Sequence, residues 1–203
     1  MKIIRVEKHT TDELLKQIRQ VTLLNQPDEL IYQDAYASLE MISVDVLFPA
    51  QHYILKSELE KVRRLKLELS KHGINLYKLN GYVTFWLEDA ADPIDLLPAV
   101  VEESVEANGK PVNIINDGMH RLFMARLEWV IPQIIFIRGI SKDKPYYAYP
   151  VPGGWNTVKI VDELPPDLMK KWHRIENYKT LYRDFNSAFT NVGGPRGRFA
   201  KNQ

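Results

Sequence analysis

The sequence predicts an α+β fold, a small mixed sheet with flanking helices that ends in an aromatic, proline-rich extension. Three observations lead there. Short β-branched runs are interspersed with two amphipathic helical stripes, no internal repeat or low-complexity tract is present, and the texture turns aromatic and proline-rich from Tyr146 onward. A chain of 203 residues with 45% hydrophobic residues is long enough to bury a substantial core.

Taken in order, residues 2–7 are β-branched and read as a strand. Thr10 and Glu13 have capping-box spacing, and Leu14, Leu15, Ile18 and Val21 follow at helical intervals. Residues 25–37 mix Pro, Asp, Gln and Tyr without a period and are expected to be irregular. Residues 42–48 alternate well enough for a strand that Pro49 stops. A second capping box is expected over Ser57–Glu60, opening a helix whose stripe is Leu55, Leu59, Val62, Leu65 and Leu69 and whose C′ residue is Gly73. Its other face carries Lys61, Arg63, Arg64, Lys66 and Lys71, diluted by Glu58, Glu60 and Glu68.

Residues 82–87 are strand-like. Residues 99–101 and 112–115 flank Asn108-Gly109, a hairpin signal. Asp117-Gly118 breaks the second of these strands, Leu122 to Leu127 suit a short helix, and residues 131–137 read as a buried strand, so strand, glycine turn, helix and strand suggest a βαβ-like unit. Beyond Tyr146, Pro166-Asp167 can open a helix carrying Leu168, Met169 and Trp172. Trp155, Tyr146, Tyr147, Tyr149 and Trp172 read better as a packed loop core than as a base-stacking platform. The organisation expected is an N-terminal strand–helix embellishment over 1–40, a core over 41–140 and an extension over 141–203.

Composition excludes several functions. With 27 Lys+Arg against 26 Asp+Glu the formal charge is +1, so nucleic-acid binding must rest on a local patch. The basic helix 57–72 and the tail 193–201 are the segments to consider for a DNA or protein partner. No cysteine is present, which removes disulfides, thiolate metal sites and cysteine nucleophiles and fits a reducing cytoplasm. No apolar run is long enough to span a bilayer, and the N-terminal MKIIRVEKH becomes charged again before a signal h-region forms, so no membrane partner is expected.

The sharpest local chemistry is Asn116-Asp117-Gly118-Met119-His120-Arg121, where a strand meets a helix. Helix N-termini present unpaired amides and attract anions. Gly118 allows close approach of a ligand to the backbone, and His120 and Arg121 add donors in the first turn, where cations oppose the helix dipole unless an anion compensates. The competing reading is that Asp117 caps the helix, His120 serves a carbonyl and Arg121 pairs with a carboxylate. HExxH, P-loop, GxGxxG and GxSxG motifs are all missing, and His9, His52, His72 and His173 lack metal-ligand spacing.

Residues 112–140, VNIINDGMHRLFMARLEWVIPQIIFIRGI, resemble the signature segment of the ParB/sulfiredoxin-like superfamily, in which a strand runs through a DGxHR-type turn into a short helix and another strand. Residues 42–73 resemble that superfamily's opening, a strand ending in Pro followed by a helix. The resemblance implies a bacterial or phage protein that binds the phosphates of ATP, ADP or CTP at Gly118, Met119, His120 and Arg121. Asp117 and His120 would then be catalytic, with Mg²⁺ on Asp117 and with Gln51 and His52 on the substrate side. Met119 stands where sulfiredoxins carry cysteine, which excludes sulfinic-acid reduction by that route. Gln51 stands where free-serine kinases carry a glutamate base, so a base must be Asp117 or a carboxylate such as Glu102 or Glu103. Three functions compete: a phosphotransferase or nucleotide hydrolase; a non-catalytic, nucleotide-responsive module engaging DNA or a protein; and a phage or mobile-element protein acting directly on nucleic acid through the basic helix face and the tail.

Overall fold

The computed structural model describes residues 1–106, 109–164 and 169–193. Its first half contains β1 (Ile3–His9), α1 (Thr11–Ile18), β2 (Thr22–Leu23), β3 (Gln26–Leu30), β4 (Tyr36–Met41), β5 (Tyr53–Leu55) and α2 (Lys56–Lys71). The second half contains β6 (Tyr82–Leu87), β7 (Ile94–Leu96), β8 (Ala99–Val105), β9 (Pro111–Asp117), α3 (Met119–Leu127), β10 (Gln133–Arg138), β11 (Lys159–Val161) and β12 (Arg183–Asp184). The class is α+β, as expected.

The central sheet has the order β4-β10-β8-β9. β10 runs parallel to β8 and antiparallel to β4, and β9 returns antiparallel to β8. Burial of both faces explains why residues 99–101 of β8 and 134–137 of β10 are apolar without alternation. Ala99, Val101, Ile134 and Phe136 face a core under α2 and α3, while Val100, Ile135 and Ile137 face a second core under α1. The remaining sheets are β1-β6-β7, β12-β2-β3 and β11-β5.

The capping box of α1 forms as its spacing requires: Thr10 Oγ1 accepts from the Glu13 amide at 3.2 Å and the Thr10 amide donates to the Glu13 carboxylate at 2.7 Å. Four expectations are corrected. Residues 25–37 are not irregular, because Asn25 takes a left-handed conformation (φ 61°) that turns β2 into β3, and β4 begins at Tyr36. Residues 42–48 hold a 3₁₀ turn over Val44–Val46, capped by Ser43, so only Phe48 bridges to β9. The capping box at Ser57 is absent: α2 starts two residues earlier, with Leu55 as N-cap and no side-chain bond. The segment β9–α3–β10 is not a βαβ unit, since β8 lies between β9 and β10 and the parallel crossover runs from β8 to β10.

Among the described residues no helix is long and apolar enough to cross a membrane. Asn108 of the expected hairpin turn, Pro166, Asp167 and Leu168 of the expected helix, and tail residues 194–201 lie outside the described residues. Met169 and Trp172, placed on that helix from sequence, are in non-helical backbone.

The extension docks on the core. Trp155 is buried against Phe123 and donates its indole N–H to the Val44 carbonyl at 2.8 Å. Tyr146 is buried and Tyr147 packs among Tyr146, Tyr178 and Tyr182, consistent with a loop core, whereas Tyr149 and Trp172 remain exposed.

Candidate functional site

The strand-to-helix turn begins with a change of register. Val101 lies opposite Ile115, but the next β8 residue, Val100, lies opposite Asp117, so Asn116 is an extra residue on β9. A bulge of this kind re-aims side chains. The Asn116 amide donates to the Tyr32 hydroxyl at 2.9 Å and to the Glu102 carboxylate at 2.5 Å. Gly118 then takes φ 83° as the N-cap of α3, whose first turn holds no acidic residue. A side chain at Gly118 would put its Cβ 2.7 Å from Ala99 Cβ, which is why glycine is required there.

This turn lines a cavity of about 520 Å³. Asp117, Gly118, Met119, His120 and Arg121 form one wall, Gln51 and Ala50 lie beside them, α2 contributes Glu58 and Lys61, and the extension contributes Lys170 and Lys171. His52 is adjacent rather than lining: its ring lies 4.5 Å from that of Trp172, its amide donates to the Lys170 carbonyl at 3.1 Å, and burial lowers its pKa. The sequence-predicted turn and Gln51 therefore meet at one cavity.

Their hydrogen bonds assign each a state. Arg121 donates to Asp117 Oδ2 at 2.8 Å and to the Leu97 carbonyl, so it pairs with a carboxylate as the competing reading required. Asp117 does not cap α3, which has no side-chain cap bond. His120 serves no carbonyl: its Nε2 is buried without a partner among the described residues, and its pKa is lowered, chiefly by burial. Burial thus disfavours the charged imidazolium, and one ring nitrogen is unengaged. Gln51 is buried and donates to the Tyr53 carbonyl at 2.6 Å.

Glu102 is not a free base. It accepts from Arg183 at 3.0 and 2.8 Å and from the Tyr32 hydroxyl at 2.5 Å, with both charged side chains essentially inaccessible. Glu103, one residue on, lies opposite Asn113 and outside the cavity. Among the described residues no group of three His, Asp or Glu is placed to hold a metal ion.

Sequence reasoning missed Lys171. Its Nζ donates to the Tyr146 hydroxyl at 2.8 Å and to the Tyr147 hydroxyl, and burial lowers its pKa to about 7, with neighbouring Lys170 adding to the shift. No local pattern marks this lysine. Its burial comes from strand-like pairing of Ala148 with His173, flanked by Tyr149 N–H to the Trp172 carbonyl and Arg174 N–H to the Tyr147 carbonyl.

A family model described as the ParB CE domain matches residues 13–159. No curated protein and no solved structure matches the chain.

Proposed function

The chain belongs to the ParB CE domain family, and from that premise we propose that the cavity beside Asp117–Arg121 binds the phosphates of a nucleotide, ATP, ADP or CTP. One observation carries the reading. The uncapped first turn of α3, with His120 Nε2 unengaged, opens on the same cavity as Lys61, Lys170 and Lys171. Amides at a helix start and converging cations are what a phosphate requires, and each charge-assisted bond contributes about 1.5–3 kcal/mol. Arg121 shares its donors with Asp117 and Leu97, so it contributes through a fork that is already oriented.

In a phosphotransferase or hydrolase, His120 is the better-placed base, because burial disfavours its charged form and it keeps a nitrogen without a partner among the described residues. Asp117 would hold Arg121 and face any magnesium that arrives with the phosphates. A second reading, a nucleotide-responsive module without chemistry, draws support from the carboxylates: Asp117 and Glu102 are both engaged by arginines. On the basic face of α2, Lys61, Lys66 and Lys71 pair with Glu58, Glu128 and Glu68, which weakens the case for that helix as a DNA-binding surface.

Thermal unfolding with ATP, ADP, CTP and inorganic phosphate, with and without magnesium, tests binding. A ligand at 100 times its dissociation constant stabilises the fold by about 2.7 kcal/mol. No shift with any of them at millimolar concentration refutes the proposal. Phosphate release by the wild type, lost in His120→Asn, selects the enzyme; binding without release selects the module.

A further inference from the structure

We propose that Lys171, from the segment beyond the matched domain, is an anion ligand of this cavity and completes the phosphate site together with the α3 turn. The proposal rests on the phosphate reading above and adds to it a residue that neither the motif nor the family match includes.

The geometry begins with donor counting. A lysine ammonium has three N–H groups, and two of them go to the Tyr146 and Tyr147 hydroxyls. Among the described residues the third has no acceptor and no carboxylate lies within ion-pairing distance of Nζ. Phenolic oxygens do not neutralise a cation, so the charged form of Lys171 is held at a desolvation cost that a ligand anion in the cavity would offset. The amine cannot swing away to solvent cheaply. It lies 4.6 and 5.3 Å from the centres of the Tyr147 and Tyr146 rings, and the backbone on both sides of it is pinned, the Lys170 carbonyl by the His52 amide at 3.1 Å and the Trp172 carbonyl by the Tyr149 amide at 2.8 Å.

The surrounding charges set how it titrates. Lys170 and His173 flank it on its own segment, Tyr146 and Tyr147 contact it from the preceding one, and Asp117 faces it from the end of β9. Burial and Lys170 favour the neutral amine, and Asp117 alone among them opposes. A phosphate added to the cavity favours the ammonium. Binding should therefore take up a proton at a pH where the free amine is mostly neutral.

Calorimetry with inorganic pyrophosphate, ATP and CTP tests this on the full chain. Lys171→Met keeps the aliphatic stem and removes the charge. It should weaken binding about ten- to a hundredfold, the effect of one charge-assisted bond, while Lys179→Met, an exposed lysine of the same extension, leaves affinity unchanged. At pH 8.5, titrations in two buffers of different ionisation enthalpy should show uptake of about one proton in the wild type. Equal affinity of wild type and Lys171→Met overturns this assignment and leaves the phosphate reading standing. No binding by the wild type overturns both. If Lys171→Met fails to fold, the proton count decides: wild-type binding without proton uptake at pH 8.5 refutes the role of Lys171.

Discussion

Gly118 gives the most direct check on the turn, because two separable effects act on it. The residue sits at φ 83°, where an L-side chain costs about 1–2 kcal/mol. In Gly118→Ala the new Cβ would also lie 2.7 Å from Ala99 Cβ and 3.0 Å from Ala99 Cα. Ala99 belongs to a central-sheet strand paired on both sides, so it cannot withdraw, and overpacking of this kind costs about 1–3 kcal/mol. The expected loss is the sum, about 2–5 kcal/mol. Gly73 supplies the control: its φ is 67°, but nothing lies within 4 Å of its Cβ position, so Gly73→Ala should lose only the conformational part, about 1–2 kcal/mol. Urea unfolding at constant m-value reads both. The double variant Gly118→Ala/Ala99→Gly should recover much of the steric part, a coupling of about 1 kcal/mol or more. Equal losses for Gly118→Ala and Gly73→Ala, with no coupling to Ala99, would show that the turn does not press on β8.

Three further outcomes follow. Glu102→Gln leaves Arg183 buried without its counter-charge and should destabilise by about 3–5 kcal/mol in urea; a loss under 1 kcal/mol refutes the buried pair. Arg121→Ala should weaken nucleotide binding in calorimetry more than Arg64→Ala at the same salt concentration, and comparable losses would move the site elsewhere. The folded pKa of Lys171, about 7, lies below its unfolded value of 10.5, so between these values the unfolded chain holds a proton that the folded chain has released, and the wild type should gain stability relative to Lys171→Met as pH rises from 7. Parallel stability curves for the two proteins from pH 7 to 10 would refute the burial of that amine.

What was legible in the fold follows the range of the interactions. The α1 capping box closes over three residues, and β6 is a run of six apolar or β-branched positions, so neighbours in sequence carried the signal. The β2–β3 hairpin was obscured because it places Pro27 and Asp28 in a strand, and what holds it is pairing of β2 with β12, some 160 residues away in the chain. Residues 42–48 alternate like a strand, yet Ser43 can cap a 3₁₀ turn locally, and Val44 is buried beneath Trp155, a residue that periodicity cannot connect to it. Tertiary contacts overrode pattern at each of these places.

The same division runs through the site and explains why its two walls differ in legibility. Asp117, Gly118, His120 and Arg121 are adjacent in sequence, so one turn of backbone sets their relation, and the i,i+4 ion pair from Asp117 to Arg121 follows from helical spacing. Lys171 depends on two segments, 146–149 and 172–174, pairing across about 25 residues, and on a cavity whose other wall is 50 residues earlier. A lysine in such a segment looks like ordinary surface chemistry until that pairing removes its water. The bulge at Asn116 links the two walls: its extra residue sends the side chain to Glu102 and Tyr32, on the sheet face where Arg183 is buried. Arg183 also donates to the carbonyls of Lys144 and Pro145, which immediately precede Tyr146 and Tyr147. The tyrosines that hold Lys171 are thus anchored to the strand that delivers Asp117, and weakening the Glu102–Arg183 pair should loosen both walls together rather than either one alone.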